Sequence, residues 1–261
     1  MRHAKYILLL LLVVSSFGCS HRLSLEWEEN FNSKELNHAS WSKIPRGKAE
    51  WCKYMSNFDS CYYVNKGKLV LRGLHNYSLP NDTAPYLTGG VFTKGKVNFG
   101  IGRLEIKARL HGATGAWPAI WLLPDNDVKW PKGGEIDIME RLNYDAKAYQ
   151  TVHSHYTVDL GKKETPPHYS TGKINPDKYN VYAVEIHADS LVFFINNKKT
   201  FSYPRLAEFD KDGQFEFAKY PLYLMIDMQL GGDWVGKINP KDVPVSMEVD
   251  WVRYYKFRKT K

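Results

Sequence analysis

The chain has 261 residues, of which 43% are hydrophobic and 25% charged, with a formal net charge of +8. That length supports one large domain with a proper core, and the absence of any repeat, low-complexity tract or Pro/Ser-rich linker argues against a second. The Lys and Arg residues are scattered, which argues against a nucleic-acid partner and leaves a mildly acidic one.

The chain opens with a basic start containing Arg2 and Lys5. An apolar run follows over residues 6–14, then Ser15, Ser16, Phe17, Gly18 and Cys19. This pattern reads as a secretory leader over residues 1–18, too short to span a membrane as a helix. A small residue before Cys19 resembles a bacterial lipoprotein cleavage site, which would make Cys19 the lipid anchor and residues 20–23 a short tether. The expected location is the cell envelope, on the outer-membrane surface or its periplasmic side, or outside the cell. The leader removes two positive charges and no acid. Beyond Cys19 only Cys52 and Cys61 are left, consistent with either one short-loop disulfide or two buried thiols. No Cys/His spacing indicates zinc.

The periodicity is β almost throughout. Strands are expected over residues 68–72, after a turn at Asn65-Lys66-Gly67, and over 89–94. Residues 102–110 alternate polar and apolar, and 119–123 read as a buried strand. Further strands are expected over 135–140, 149–154, 181–186 and 191–195. The Asn196-Asn197 turn joins the last of these to 199–203 as a hairpin. Strands over 221–230 and 245–256 close the series, and residues 204–209 are the one plausible short helix. The basic residues at 256–261 read as a frayed end. Many short strands without a long amphipathic helix predict an all-β jelly-roll sandwich, whose concave face forms a groove open at both ends.

The six residues Glu135-Ile136-Asp137-Ile138-Met139-Glu140 carry the chemistry. Glu135 and Asp137 share one strand face and Ile136 and Ile138 the other. Glu140 falls on the wrong face unless a β-bulge near Ile138 or Met139 adds one residue. Three acids on one face repel each other, and no fold needs that arrangement. A solvated acidic edge or a metal site is the plain alternative. Calcium, however, would also want carbonyl, Asn and Gly ligands from a tight loop, and this is an Ile-rich strand. Paired carboxylates of this kind suit glycoside hydrolysis, in which one must be ionised and one protonated.

Aromatic residues make up 14% of the chain, and eight are Trp. Indole faces stack on sugar rings. Trp121, Trp130 and Trp234 are the candidate sugar platforms, and the last two lie in Pro- or Gly-rich stretches. Trp117 divides evenly between core and site, whereas Trp27, Trp41 and Trp251 are assigned to packing. His153 follows the acidic strand and is a candidate to orient Asp137 or to touch the leaving sugar. His155 would share its face.

Together, the acidic motif, the preceding Trp117-Pro118-Ala119-Ile120-Trp121 and Trp130-Pro131, and the later Gly231-Gly232-Asp233-Trp234 resemble glycoside hydrolase family 16. The six-residue motif with its extra Met resembles the laminarinase-type branch. The blocks at residues 86–91, 102–105 and 249–253 are similar as well, so the resemblance covers nearly all of residues 20–261. It implies a concanavalin-like jelly roll and endo-hydrolysis with retention. Glu135 would be the nucleophile, Glu140 the general acid/base, and Asp137 would tune both. Trp121 and Trp130 would line the subsite of the attacked sugar. Some members of the family hold a structural calcium on the far face, where Asp250 is the residue to check. No cofactor or catalytic metal is implied, and a monomer is expected.

The chain departs from many laminarinases at residues 46–56, where Arg46 and Trp51 are candidates for remote sugar contacts, and at residues 141–145. The leading reading is therefore an exported endo-β-glycosidase acting on β-1,3- or mixed-linkage β-1,3-1,4-glucan. One alternative is an endo-β-galactosidase acting on galactans, poly-N-acetyllactosamine or mucin O-glycans. Another is a non-catalytic glycan-binding jelly roll, although the intact Glu135 and Glu140 argue against it.

Overall fold

Alternating polarity becomes one-sided burial. In Gly102–Leu110, Leu104, Ile106, Ala108 and Leu110 enter the core while Glu105, Lys107 and Arg109 stay on the other face. The computed structural model describes residues 22–258 except 78 and 177. The expected leader, Cys19 and the last three residues of the basic tail lie outside the described residues.

The described strands, in chain order, are β1 (Arg22–Glu29), β2 (Ser42–Lys43), β3 (Tyr62–Val64), β4 (Leu69–His75), β5 (Tyr86–Thr88), β6 (Gly90–Phe92), β7 (Gly102–Leu110) and β8 (Ala116–Pro124). They continue as β9 (Glu135–Glu140), β10 (Lys147–His153), β11 (Tyr169–Lys173), β12 (Asn180–Ile186), β13 (Ser190–Ile195), β14 (Lys198–Pro204), β15 (Leu222–Leu230) and β16 (Val245–Arg258). They form two antiparallel sheets. One runs β14-β13-β12-β7-β16-β4-β3, with β1 on β16 and β5 on β4; the other runs β11-β10-β9-β8-β15-β6-β2. The main core lies between them, with Ile120, Leu122, Ile136, Leu224 and Ile226 from the second sheet among its members.

The expected strands form, with ends shifted by a few residues. Asn196 and Asn197 both have positive φ, 51° and 62°, as the tight hairpin between β13 and β14 requires. Three local expectations are corrected. Pro204 closes β14, and the short helix is a 3-10 turn displaced to Ala207–Asp212. Arg22 and Leu23 are sheet rather than tether, pairing with Arg258 and Phe257, so the tail is ordered through residue 258. His155 opens a helical turn, α1 (His155–Val158), whose N-terminus is closed by a reciprocal Ser154–Thr157 capping box. Cys52 and Cys61 are two buried free thiols.

The bulge in β9 falls at Ile138. On the β8 side, Ile120 pairs with Met139 and Trp121 with Asp137, which leaves Ile138 without a partner residue. On the β10 side, Tyr149 pairs with Glu140 and Thr151 with Asp137, so Gln150 alone faces two residues. Ile136, Ile138 and Met139 all enter the core. Gln150 is fully buried, and its Nε2 donates to the Ile138 carbonyl at 3.1 Å. Its Oε1 accepts from the Thr200 hydroxyl on β14, so one side chain ties the bulge to the opposite sheet.

A second, smaller core covers part of the concave face. Ile44, Cys52 and Met55 pack there on Trp121, Tyr223 and Met225. Beneath it, Asp227 of β15 is fully buried and accepts from Trp121 Nε1 at 2.8 Å and Gln229 Nε2 at 2.6 Å. Burial pushes its carboxyl up to about 7, against the pull of these two donors.

Two stability measurements test this account. Gln150→Leu should lose about 1–3 kcal/mol in urea unfolding, because the Ile138 carbonyl is left buried and unpaired. Asp227→Asn addresses pH. A carboxyl raised in the folded state favours folding fully below its unfolded value and loses that contribution as pH rises through about 7. The variant should therefore match the native protein near pH 4 and exceed it by a few kcal/mol at about pH 8.5. The Gln229 amide oxygen, buried without a partner, can rotate to accept the new N–H.

Candidate active site

With one residue looped out, β9 presents Glu135, Asp137 and Glu140 on the same concave face. All three line one cleft of about 830 Å³. Its floor is β8 (Trp117, Ala119, Trp121, Leu123), β9 and β10 (Tyr149, Thr151, His153), with Gln229 from β15. Trp130, His168 and Tyr169 stand on one side, and Ala49, Trp51 and Trp234 complete the rim.

Each glutamate is held by an indole. Trp130 Nε1 donates to Glu135 Oε2 at 2.6 Å, and Trp117 Nε1 donates to Glu140 Oε1 at 2.8 Å. Trp117 is therefore a site residue. Trp130 is more than half exposed, whereas Trp121 is buried as floor, fixed through its N–H to Asp227. Trp234 stands edge-on to Trp117 and to Tyr149, with ring centroids 5.5 and 5.2 Å away, and walls the Glu140 side. Around Glu135 the wall is Trp130, His153 and His168, where successive ring centroids lie 6.3 and 6.5 Å apart.

His153 Nε2 lies 3.2 Å from Asp137 Oδ2 and 4.0 Å from Glu135 Oε1. His155 instead sits on α1, where it meets Asp159 at 2.6 Å.

Burial is the main cause of every carboxyl shift here. It pushes Glu135 up to about 8, helped by the neighbouring charge of Asp137 and opposed by His153 and the Trp130 N–H. Asp137 rises to about 7, and the hydrogen bond it accepts from Glu135 holds it down while raising Glu135. Glu140 is raised well above the ordinary carboxylate range by burial and by Asp137. The site thus holds carboxyls raised to different extents, so that one can be ionised while another keeps its proton.

Glu135, Asp137 and His153 also offer three donor atoms within 4.8 Å of one another. The hydrogen bonds from Trp130 and between the two acids already use lone pairs that a cation would need. On the far face, Asp250 Oδ2 meets Lys107 Nζ at 2.8 Å, which does not fit a calcium at that position. Arg46 points away from the cleft and forms a bidentate pair with Asp82 at 2.6 and 2.7 Å, while Trp51 does line the cleft.

Several lining residues carry weaker signals. Tyr149 and Thr151 follow by alternation from His153, and Gln229 alternates with Asp227 along β15. His168 and Tyr169 follow a loop whose course depends on α1 and have no periodicity to reveal them.

Comparison with known proteins fits this geometry. A family model described as the XgeA-like catalytic GH16 domain matches residues 93–190. The chain is 33% identical over 236 residues to a keratan-sulfate endo-1,4-beta-galactosidase of Sphingobacterium multivorum, covering 89% of this chain and 55% of that relative, so it spans about half of that protein's length. The laminarinase of Rhodothermus marinus superposes with a TM-score of 0.81 at 25% identity, covering 91% of this chain and 99% of its own. A structure from work on endo-acting O-glycanases with which human gut microbiota initiate mucin breakdown superposes at 0.79 and 29% identity, covering 90% and 100%. With the bulged acidic strand, the indole-held glutamates and these matches together, the chain belongs to glycoside hydrolase family 16.

Proposed function

We propose that the chain is a retaining endo-β-glycosidase that cuts internal linkages of a polysaccharide. The observation that carries this reading is the pair Glu135 and Glu140. Each is held by one tryptophan N–H, Asp137 lies between them, and both face one open cleft.

In this reading Glu135 is the nucleophile. Its carboxylate attacks the anomeric carbon while the Glu140 O–H gives its proton to the departing glycosidic oxygen, and the C–O bond breaks. The product is a glycosyl ester on Glu135. Glu140, now ionised, takes a proton from water as that water attacks the same carbon and frees Glu135, with net retention. In the free site Glu135 is the higher of the hydrogen-bonded pair, so in this reading the shared proton passes to Asp137 as Glu135 becomes the nucleophile. His153 positions Asp137. Trp121, Trp130 and Trp234 offer faces to the sugars on either side. The residues need no cofactor for these steps. The apolar leader and Cys19 support export and lipid anchoring at the cell envelope.

For the substrate, β-1,3- or mixed-linkage glucan is supported by the near-complete superposition on a laminarinase. A second reading, an endo-β-galactosidase acting on N-acetyllactosamine-type or sulfated chains, is supported by the 33% identical keratan-sulfate relative and by the +8 charge.

Mutation and pH separate the roles. Glu135→Gln should lower kcat by about 10³-fold or more with glycan affinity retained, read by steady-state kinetics and calorimetry. A variant that turns over at the native rate removes Glu135 as nucleophile. With these raised carboxyls, activity should rise through an acid limb near pH 7, as Glu135 and Asp137 lose their first proton, and fall as Glu140 loses its own. Glu140→Gln should still release dinitrophenol from an activated aryl glycoside, without the alkaline limb.

Substrate choice is read from a panel of laminarin, mixed-linkage glucan, agar-type galactan, keratan sulfate and mucin glycans. One panel member should yield short oligosaccharides early, with little monosaccharide. Monosaccharide from the first time point contradicts endo action.

A further inference from the structure

The cleft is lopsided about its carboxylates. Toward β10 and β11 it is lined by Tyr149, Thr151, His153, His168 and Tyr169, whereas from β15 only Gln229 reaches it. Of the other concave-face residues of β15, Tyr223 and Met225 are buried in the second core together with Ile44, Cys52 and Met55, with Trp51 packed against it, and Asp227 is fully buried beneath. Gly90 of β6 is roofed in the same way. A Cβ there would lie 2.9 Å from Ile44 Cδ1 and 3.0 Å from Met55 Sδ. The segment between β2 and β3 therefore fills the half of the trough that β15, β6 and β2 would otherwise offer.

The inner edge of this filling is Trp51, which stands edge-on to Trp121 with ring centroids 4.9 Å apart and planes at 84°. The segment is fastened at both ends. Arg46 Nε donates to the Met55 carbonyl at 2.9 Å while its guanidinium grips Asp82. Glu50 Oε2 accepts the backbone N–H of Asp233 at 3.0 Å, which joins the Trp51 rim to the loop that carries Trp234. That approach requires glycine at 232, where φ is +156° and a Cβ would sit 3.1 Å from Glu50 Oε2. Two rims on different ends of β8 are thus tied across the β15 end of the cleft by one carboxylate.

We infer that Trp51, held in place by the Glu50–Asp233 hydrogen bond, sets specificity by walling the trough at β15, so that a bound glycan makes its extended contacts toward β10 and β11. On the walled side, the two strand spacings from β9 to β15 leave about 10 Å, room for about two sugar rings. An interior stretch of polymer must lift off the floor where it meets Trp51. The groove is open at the β11 end and obstructed at the other. This inference rests on the glycosidase reading and adds where the sugars beyond the cleaved bond are held.

The test is subsite mapping. Oligosaccharides of whichever panel glycan is cleaved are lengthened one sugar at a time from either end, and the cleaved bond is identified by mass spectrometry after hydrolysis in ¹⁸O water. Additions on the open side should raise kcat/KM by about threefold to tenfold per sugar, the scale of a stacked ring. Additions on the walled side should stop helping after about two sugars. Glu50→Ala should restore gains from a third sugar on that side, with kcat on the shortest cleaved oligosaccharide unchanged, because Glu50 does not line the cleft. Glu50→Gln should keep the native pattern, since its amide oxygen still accepts the Asp233 N–H. Equal gains from both ends, or a Glu50→Ala pattern identical to the native one, overturns the proposal. No hydrolysis of any panel member defeats the glycosidase reading instead.

Discussion

The site depends on one looped-out residue. Were β9 a regular strand, Glu140 would point into the core and Met139 into the cleft. The bulge at Ile138 reverses the last two positions, so that Ile138 and Met139 both enter the core and Glu140 joins Glu135 and Asp137. A bulge costs ladder hydrogen bonds. Here the freed Ile138 carbonyl is taken by Gln150, which is itself held by Thr200 from the other sheet. The placement of the three acids on one face is therefore steadied by the same polar bridge that joins the two layers.

Around that strand, the fold accepts an electrostatic cost. Glu135, Asp137, Glu140 and Asp227 crowd one face, each raised by burial. The partial remedy is a set of indole N–H donors: Trp130 on Glu135, Trp117 on Glu140 and Trp121 on Asp227. An indole donates a hydrogen bond without bringing a charge, so it fixes a carboxyl without forcing it to stay ionised. An arginine in the same place would hold the carboxyl ionised and remove the proton that general-acid chemistry needs. The tryptophans thus line the cleft and give donors to the acids at once.

The segment of residues 44–56 shapes one side of the cleft. The overall fold is common ground with a laminarinase and with a structure from work on endo-acting O-glycanases. Connecting chain is freer to change than paired strands. In this chain that segment brings its own apolar residues, Ile44, Cys52 and Met55, and buries a patch of concave sheet that would otherwise stay wet.

The acidic motif, its bulge and the strand alternation were legible in the sequence because each is a local property. Glu135 and Asp137 are two apart, Ile138-Met139 adds one residue, and alternation on β7 places every core residue. The roles of Trp117 and Gln150, by contrast, required the sheet order. Trp117 is 23 residues from Glu140, and Gln150 is 50 residues from Thr200. The wall at β15 was equally invisible, since residues 46–56 lack periodicity and acquire meaning only where Glu50 meets Asp233, 183 residues away. Local spacing determined the chemistry on offer. Tertiary pairing alone decided which side chains steady it and which half of the trough stays open, because those contacts join segments that no periodic pattern relates.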